Sequence, residues 1–141
     1  MKPYASSGIP AEELILFHKI EKVIQEMPEI DLGKNEKGEK VVLSCHMITR
    51  ALARFFPLTY KDGYFGNFNQ HSWLVTKEGL VIDPYPVAVV GGPILIDTRF
   101  MTGWSSLYQE ASFPKLSNPI FLKNVDKVAE AVHQTMKKLG I

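Results

Sequence analysis

The chain has one cysteine among its 141 residues, no apolar run close to the roughly 20 residues a membrane span requires, and no surplus of either charge. A single cysteine excludes an internal disulfide and any Cys-x-x-Cys zinc pair, and leaves a thiol that is either buried as a small hydrophobe or kept for its reactivity. Sixteen basic and fifteen acidic residues give a net charge of +1, spread along the sequence without blocks. That balance argues against a nucleic-acid stripe and against a polybasic membrane patch. The opening residues Met1–Gly8 lack the apolar segment of a signal peptide, so a soluble, cytoplasmic protein with a reduced thiol is expected. Repeats and low-complexity tracts are also lacking. What is present is apolar: 45% hydrophobic and 11% aromatic residues, sufficient for one domain over residues 1–141 with its own core.

Residues 1–8 read as loose. Pro10 suits a first helical turn, Glu12 and Glu13 suit the positive end of a helix, and Leu16, Ile20, Val23, Ile24 and Met27 recur at helical spacing. A helix over 10–27, ended by Pro28, is predicted, followed by an exposed polar loop over 31–40. Ser44 is an N-cap candidate for a second helix from Cys45 to about Phe56, stopped by Pro57, with Ile48, Leu52, Phe55 and Phe56 as its apolar stripe. From Leu58 the pattern turns aromatic and β-branched, predicting strands at 58–65, 71–76, 80–83 and 94–96 in a largely antiparallel sheet. Residues 98–119 carry only a weak helical signal around Trp104–Glu110. Val125, Val128, Val132, Met136 and Leu139 mark a final amphipathic helix.

Cys45, His71 and Asp83 come from three of these segments, in the order and contexts that a cysteine nucleophile needs. The first turn of a helix favours a negative charge, so its amides and dipole would support a Cys45 thiolate. The Lys77-Glu78-Gly79 sequence fits a three-residue hairpin loop with glycine in the left-handed position. With Thr76 then paired to Leu80, Trp73 lies opposite Asp83, and His71 shares the Asp83 face. A two-residue loop would shift the register by one and send His71 and Asp83 to opposite faces. On a shared face, His71 can act as base and Asp83 can fix its tautomer. The Cys45 backbone N–H would be one oxyanion donor, with Gln70, Asn69 and Asn67 as candidates for a second.

The strings Ser44-Cys45, His71-Ser72-Trp73 and Asp83-Pro84 resemble the transglutaminase-like branch of the papain-like cysteine hydrolases over Ser44–Pro86. The resemblance implies an α+β fold of papain-like type, with the nucleophile helix packed on an antiparallel sheet and flanked by further helices. It implies Cys45 as nucleophile, His71 as base and Asp83 as orienting carboxylate, hence a thiol protease, amidase or acyltransferase working through a thioester. Relatives often carry glycine before the cysteine and an aromatic residue after it, where this chain has Ser44 and His46. The family includes peptidases, amidases, protein crosslinkers and inactive scaffolds, so the alternative is a catalytically inactive module that binds a peptide or protein partner.

Simpler roles stand beside these. Cys45 can be a buried hydrophobe, Asp83 can cap the turn into Pro84, and His71 can be a satisfied strand histidine. His46 is expected to be structural or at the rim of the site, and His18 and His133 to lie on solvated helix faces. Zinc binding by Cys45, His46, His71 and Asp83 is disfavoured, because adjacent helix residues point in different directions. Most aromatics alternating along the strands read as core; Trp73, Tyr85, Arg99 and Trp104 are candidates for the substrate face or its rim. The expected substrate is a peptide, a protein or a small amide, with no cofactor or metal, no nucleic acid and no membrane.

Overall fold

The computed structural model describes residues 8–87 and 91–141. The expected loose N-terminus therefore lies, apart from Gly8, outside the described residues. The fold is mixed α+β, and among the described residues it comprises four α-helices and a five-stranded antiparallel sheet. No helix is long and apolar enough to cross a membrane among those residues.

Helix α1 (Ala11–Glu26) follows Pro10, carries Glu12 and Glu13 in its first turn, and buries Phe17, Ile20 and Val23. It stops where Met27 turns extended before Pro28, the conformation that a following proline imposes. The polar loop is folded on itself: Lys34 bridges Lys40, and the Asn35 side chain accepts from the backbone N–H groups of Lys37 and Glu39. Helix α2 (Cys45–Phe55) starts at Ser44, whose hydroxyl accepts from the Met47 N–H at 3.4 Å, and ends one residue before the Phe56-Pro57 pair. Its Met47, Ile48, Ala51 and Leu52 are buried.

Strands β1 (Thr59–Phe65), β2 (Asn69–Val75), β3 (Val81–Asp83), β4 (Ile94–Ile96) and β5 (Tyr108–Glu110) lie in the order β4-β3-β2-β1-β5. The register between β2 and β3 is the one expected from the three-residue loop. Leu74 faces Ile82, Val75 faces Val81, and the Thr76 N–H donates to the Leu80 carbonyl at 2.9 Å. Gly79 closes the loop at φ +84°, a conformation costly for any residue with a Cβ.

Residues 98–119 depart from expectation. The weak helical signal over Trp104–Glu110 corresponds to a single turn, α3 (Thr102–Ser105), after which Tyr108–Glu110 leaves the helix to become β5. That strand pairs with the outer edge of β1, Phe65 facing Tyr108 and Gly63 facing Glu110, and the ladder hydrogen bonds outweigh local propensity. Helix α4 (Pro119–Leu139) begins well before Val125, capped by the Asn118 side chain with proline at its first position. Ile120 and Leu122 in its first turn are exposed, which hides that start from a search for an apolar stripe.

The main core fills the space between one face of the sheet and helices α1, α2 and α4, with Phe17, Ile20, Ile48, Leu52, Leu74, Ile82, Leu95, Val128 and Val132 fully buried. A smaller cluster of Trp73, Val81, Ile94 and Ile96 covers the other face, joined by Met101, Trp104 and Tyr108. Strands β3 and β4 are buried throughout, which fits their apolar runs up to Asp83, whereas Thr59 and Tyr60 of β1 and Asn69 and Gln70 of β2 are exposed.

Gly63 holds β5 in place by having no side chain, since a Cβ there would stand 1.9 Å from the Gln109 carbonyl oxygen. Gly63→Ala is expected to push β5 off β1 and to lower stability by about 3 kcal/mol, the upper end of overpacking costs. Urea denaturation with tryptophan fluorescence checks this; an unchanged midpoint would show that β5 yields without loss.

Candidate functional site

Asp83 ends β3 with no exposed surface, and its two oxygens accept three hydrogen bonds. The Tyr85 backbone N–H reaches Oδ1 at 3.2 Å, so the expected turn cap into Pro84 is present. His71 Nε2 and the Tyr108 hydroxyl both meet Oδ2 at 2.7 Å. The shared face derived from the hairpin parity therefore brings His71 and Asp83 into direct contact. With Nε2 committed to Asp83, Nδ1 is the ring nitrogen left for the thiol.

His71 is 2% exposed and sits in an aromatic box: stacked on Trp73 at 6.2 Å, edge-on to Phe65 at 6.2 Å, and tilted against Tyr108 at 6.2 Å. Burial alone would lower its proton affinity. The hydrogen bond to Asp83 and then the contact with Cys45 outweigh burial and push the imidazole up to about 9. Cys45 is an electrostatic neighbour of His71, and β3 pairs with Leu74 and Val75 of β2 and not with His71. The thiol is half-buried at the first residue of α2, behind its Ser44 cap. Tyr85 is its neighbour: burial and then the electrostatic influence of Cys45 raise the phenol above its ordinary value. The Tyr108 hydroxyl is raised far more strongly, by burial and then by Asp83, so it stays a proton donor to that carboxylate throughout the working pH range.

The other candidates are distributed unevenly. Trp73 is 3% exposed and packs behind His71, so it supports the ring rather than facing a substrate. Trp104 is half-buried against Phe65, with its indole N–H directed toward Tyr108 but outside hydrogen-bond geometry. The Asn69 amide donates to the Phe65 carbonyl at 3.2 Å, and the Gln70 side chain accepts from Lys115 at 2.5 Å on the strand face opposite His71. Asn67 is exposed in the turn between β1 and β2. Arg99 lies away from the site, paired with Asp97 and with the Gly8 carbonyl. Among the described residues, no group of three or more His, Cys, Asp or Glu side chains is arranged to hold a metal ion.

Tyr108 is the site residue that the sequence reading misses, because β5 carries no alternation of its own. Gly63 is the signal that could have found it, since glycine inside a strand often marks the close approach of another backbone. Comparison of the chain with protein-family models, with curated proteins and with solved structures finds no match.

The folded imidazole binds its proton more tightly than an unfolded one, so the stability from this contact is complete below about pH 6.5 and is lost as pH rises through about 9. By histidine-selective NMR, His71 is expected to titrate near 9. In Asp83→Asn burial remains while the strongest raising contact is lost, so the midpoint falls below the wild-type value. Tyr108→Phe should leave the midpoint high, because His71 keeps its acceptor, while costing about 1 kcal/mol of stability. A wild-type midpoint near 6.5 would contradict the electrostatic account.

Proposed function

We propose that the protein is a cysteine-dependent hydrolase or acyltransferase acting on an amide or peptide bond, with Cys45 as nucleophile, His71 as acid and base, and Asp83 as orienting carboxylate. The observation that carries this reading is the buried 2.7 Å contact between His71 and Asp83, with Cys45 an electrostatic neighbour that raises the proton affinity of the same imidazole. The transglutaminase-like, papain-like resemblance of the Ser44–Pro86 strings supports it, as does the packing of α2 against the sheet.

The chemistry follows from those positions. An imidazolium favours the thiolate beside it, and the first turn of α2 adds its positive end. The Cys45 thiolate attacks the acyl carbon and forms a C–S bond, and the oxygen that gains charge is met by the Cys45 backbone N–H. His71 then gives its proton to the leaving amine as the C–N bond breaks, leaving a thioester and a neutral imidazole. Water, or a second amine, loses a proton to His71, attacks the thioester and releases the thiolate. Asp83 holds the ring by Nε2 throughout and stabilises its charged form. Hydrolysis is the simpler outcome, because water needs no second binding site. The substrate is a peptide, a protein or a small amide, and a free thiol of this kind suits the reducing cytoplasm.

The test is the rate of Cys45 alkylation by iodoacetamide against pH. Wild type should keep a reactive plateau below pH 7, and His71→Ala should lose it, by about 100-fold at pH 6 where an ordinary thiol is almost wholly protonated. Amide turnover should then decline above about pH 9, as the imidazolium that protonates the leaving amine disappears. A single rise near the ordinary thiol pKa, the same in both proteins, would reject the ion pair and leave an inactive binding module.

A further inference from the structure

The residues that follow the nucleophile and the imidazole in sequence, His46 and Ser72, are joined to each other. His46 Nδ1 lies 2.6 Å from Ser72 Oγ, which in turn donates to Asp62 Oδ1 at 2.6 Å. Asp62 stands directly across from Ser72 in the ladder between β1 and β2. Arg50, one turn along α2, grips both Asp62 oxygens at 2.9 and 2.6 Å and donates to the His46 carbonyl at 3.1 Å. None of these side chains has a step in the chemistry above, although Ser72 is fully buried and Arg50 and Asp62 are only 10% and 17% exposed.

The proton directions in this chain are determined. Burial opposes the Asp62 charge, but the hydrogen bonds from Arg50 and Ser72 outweigh it and hold the carboxyl below its ordinary range. An ionised Asp62 only accepts, so Ser72 commits its single O–H to it, and the Ser72 oxygen can then only accept from His46. His46 therefore carries its proton on Nδ1. Burial also holds this imidazole below its ordinary value, and Arg50, Lys115 and His71 act in the same sense against the one opposing charge, Asp62.

We propose that the Arg50, Asp62, Ser72 and His46 chain is a positioning staple that ties the first turn of α2 to β2 and thereby sets the spacing between Cys45 and His71. This inference rests on the reading of those two residues as a reactive pair. Apolar packing of Ile48, Leu52 and Leu74 in the main core holds the helix on the sheet, but it is non-directional and tolerates sliding. Short hydrogen bonds do not. Because side chains alternate along a strand, the staple works from the helix-packed face while His71 meets Asp83 on the other. One peptide unit on each element transmits the constraint. The staple also survives acidification, since protonation of His46 adds a proton at Nε2 and leaves the Nδ1 donor in place.

The test uses the full chain as wild type, Ser72→Ala, His46→Leu and His46→Asn, with melting curves alongside; asparagine places an N–H close to the Nδ1 position. Cys45 alkylation against pH and the NMR titration of His71 are the readouts, because a merely structural role would move stability without moving either profile. Ser72→Ala and His46→Leu are expected to lose about 10-fold to 100-fold of the alkylation rate at pH 6, the scale of a small misplacement of reacting groups, and to lower the His71 midpoint. His46→Asn should stay close to wild type. Folded Ser72→Ala and His46→Leu proteins with wild-type profiles would overturn the staple, as would His46→Asn failing as badly as His46→Leu. The wild-type NMR spectrum decides the matter even if the variants do not fold: a neutral His46 protonated on Nε2 breaks the donor chain and overturns the proposal. Failure of the reactive pair itself is read separately, from wild type alone, as no alkylation plateau below pH 7 and a His71 midpoint near 6.5; the staple would fall with it.

Discussion

A carboxylate with no exposed surface is the constraint around which this molecule is arranged. Taking such a group out of water costs several kcal/mol unless donors replace the lost solvent. Asp83 is supplied with three, from three places: the His71 ring on β2, the backbone of its own turn at Tyr85, and the Tyr108 hydroxyl on β5. Each supplier has a structural precondition. His71 depends on the parity of the hairpin closed by Gly79, the turn depends on Pro84 ending the strand, and Tyr108 depends on β5 lying against Gly63. The sheet is thus organised by a polar requirement at the end of one inner strand as well as by burial of its apolar residues.

The two faces divide the labour. One is packed by helices and holds the larger core, with the Arg50 and Asp62 pair at its margin. The other carries Met101, Trp104 of α3 and Tyr108 of β5 packed around Trp73, and aromatic rings enclose the imidazole there. Cys45 belongs to the first side by its helix and reaches the second by standing at the helix end. The thiol at that end is half-buried, and the imidazole it influences is buried.

Much of this was legible in the sequence wherever a local rule had only one solution. Ser44 and Pro57 delimit α2, Met27 and Pro28 end α1, and the loop of Lys77, Glu78 and Gly79 determines which strand residues share a face. The contact between His71 and Asp83 follows from that parity with no knowledge of the remainder. What escaped was set by distant partners. The triplet of Tyr108, Gln109 and Glu110 is a strand only because β1 offers an unpaired edge, and Tyr108 matters only because Asp83, twenty-five positions earlier, has an oxygen to share. The first turn of α4 escaped for the opposite reason: its apolar residues Ile120 and Leu122 face outward and carry no stripe. Ser72 and Asp62 likewise look ordinary in sequence, and only their ladder pairing shows that they act on α2 together.

The sheet ends on both sides in strands of three residues, β4 and β5. A short edge offers few free N–H and C=O groups in a row, too few to template a strand from another molecule. The Ile94-Leu95-Ile96 segment at one edge is the kind of apolar, β-prone sequence that nucleates fibrils when it is long and flat, yet here its three side chains are buried. At the other edge, Glu110 pairs with Lys61 and places charge where a neighbour would add. With outermost strands this short, the backbone left to pair with a neighbour is confined largely to residues 59–61 of β1, which outrun β5, and strand-by-strand assembly would have to start there while β4 and β5 stay docked.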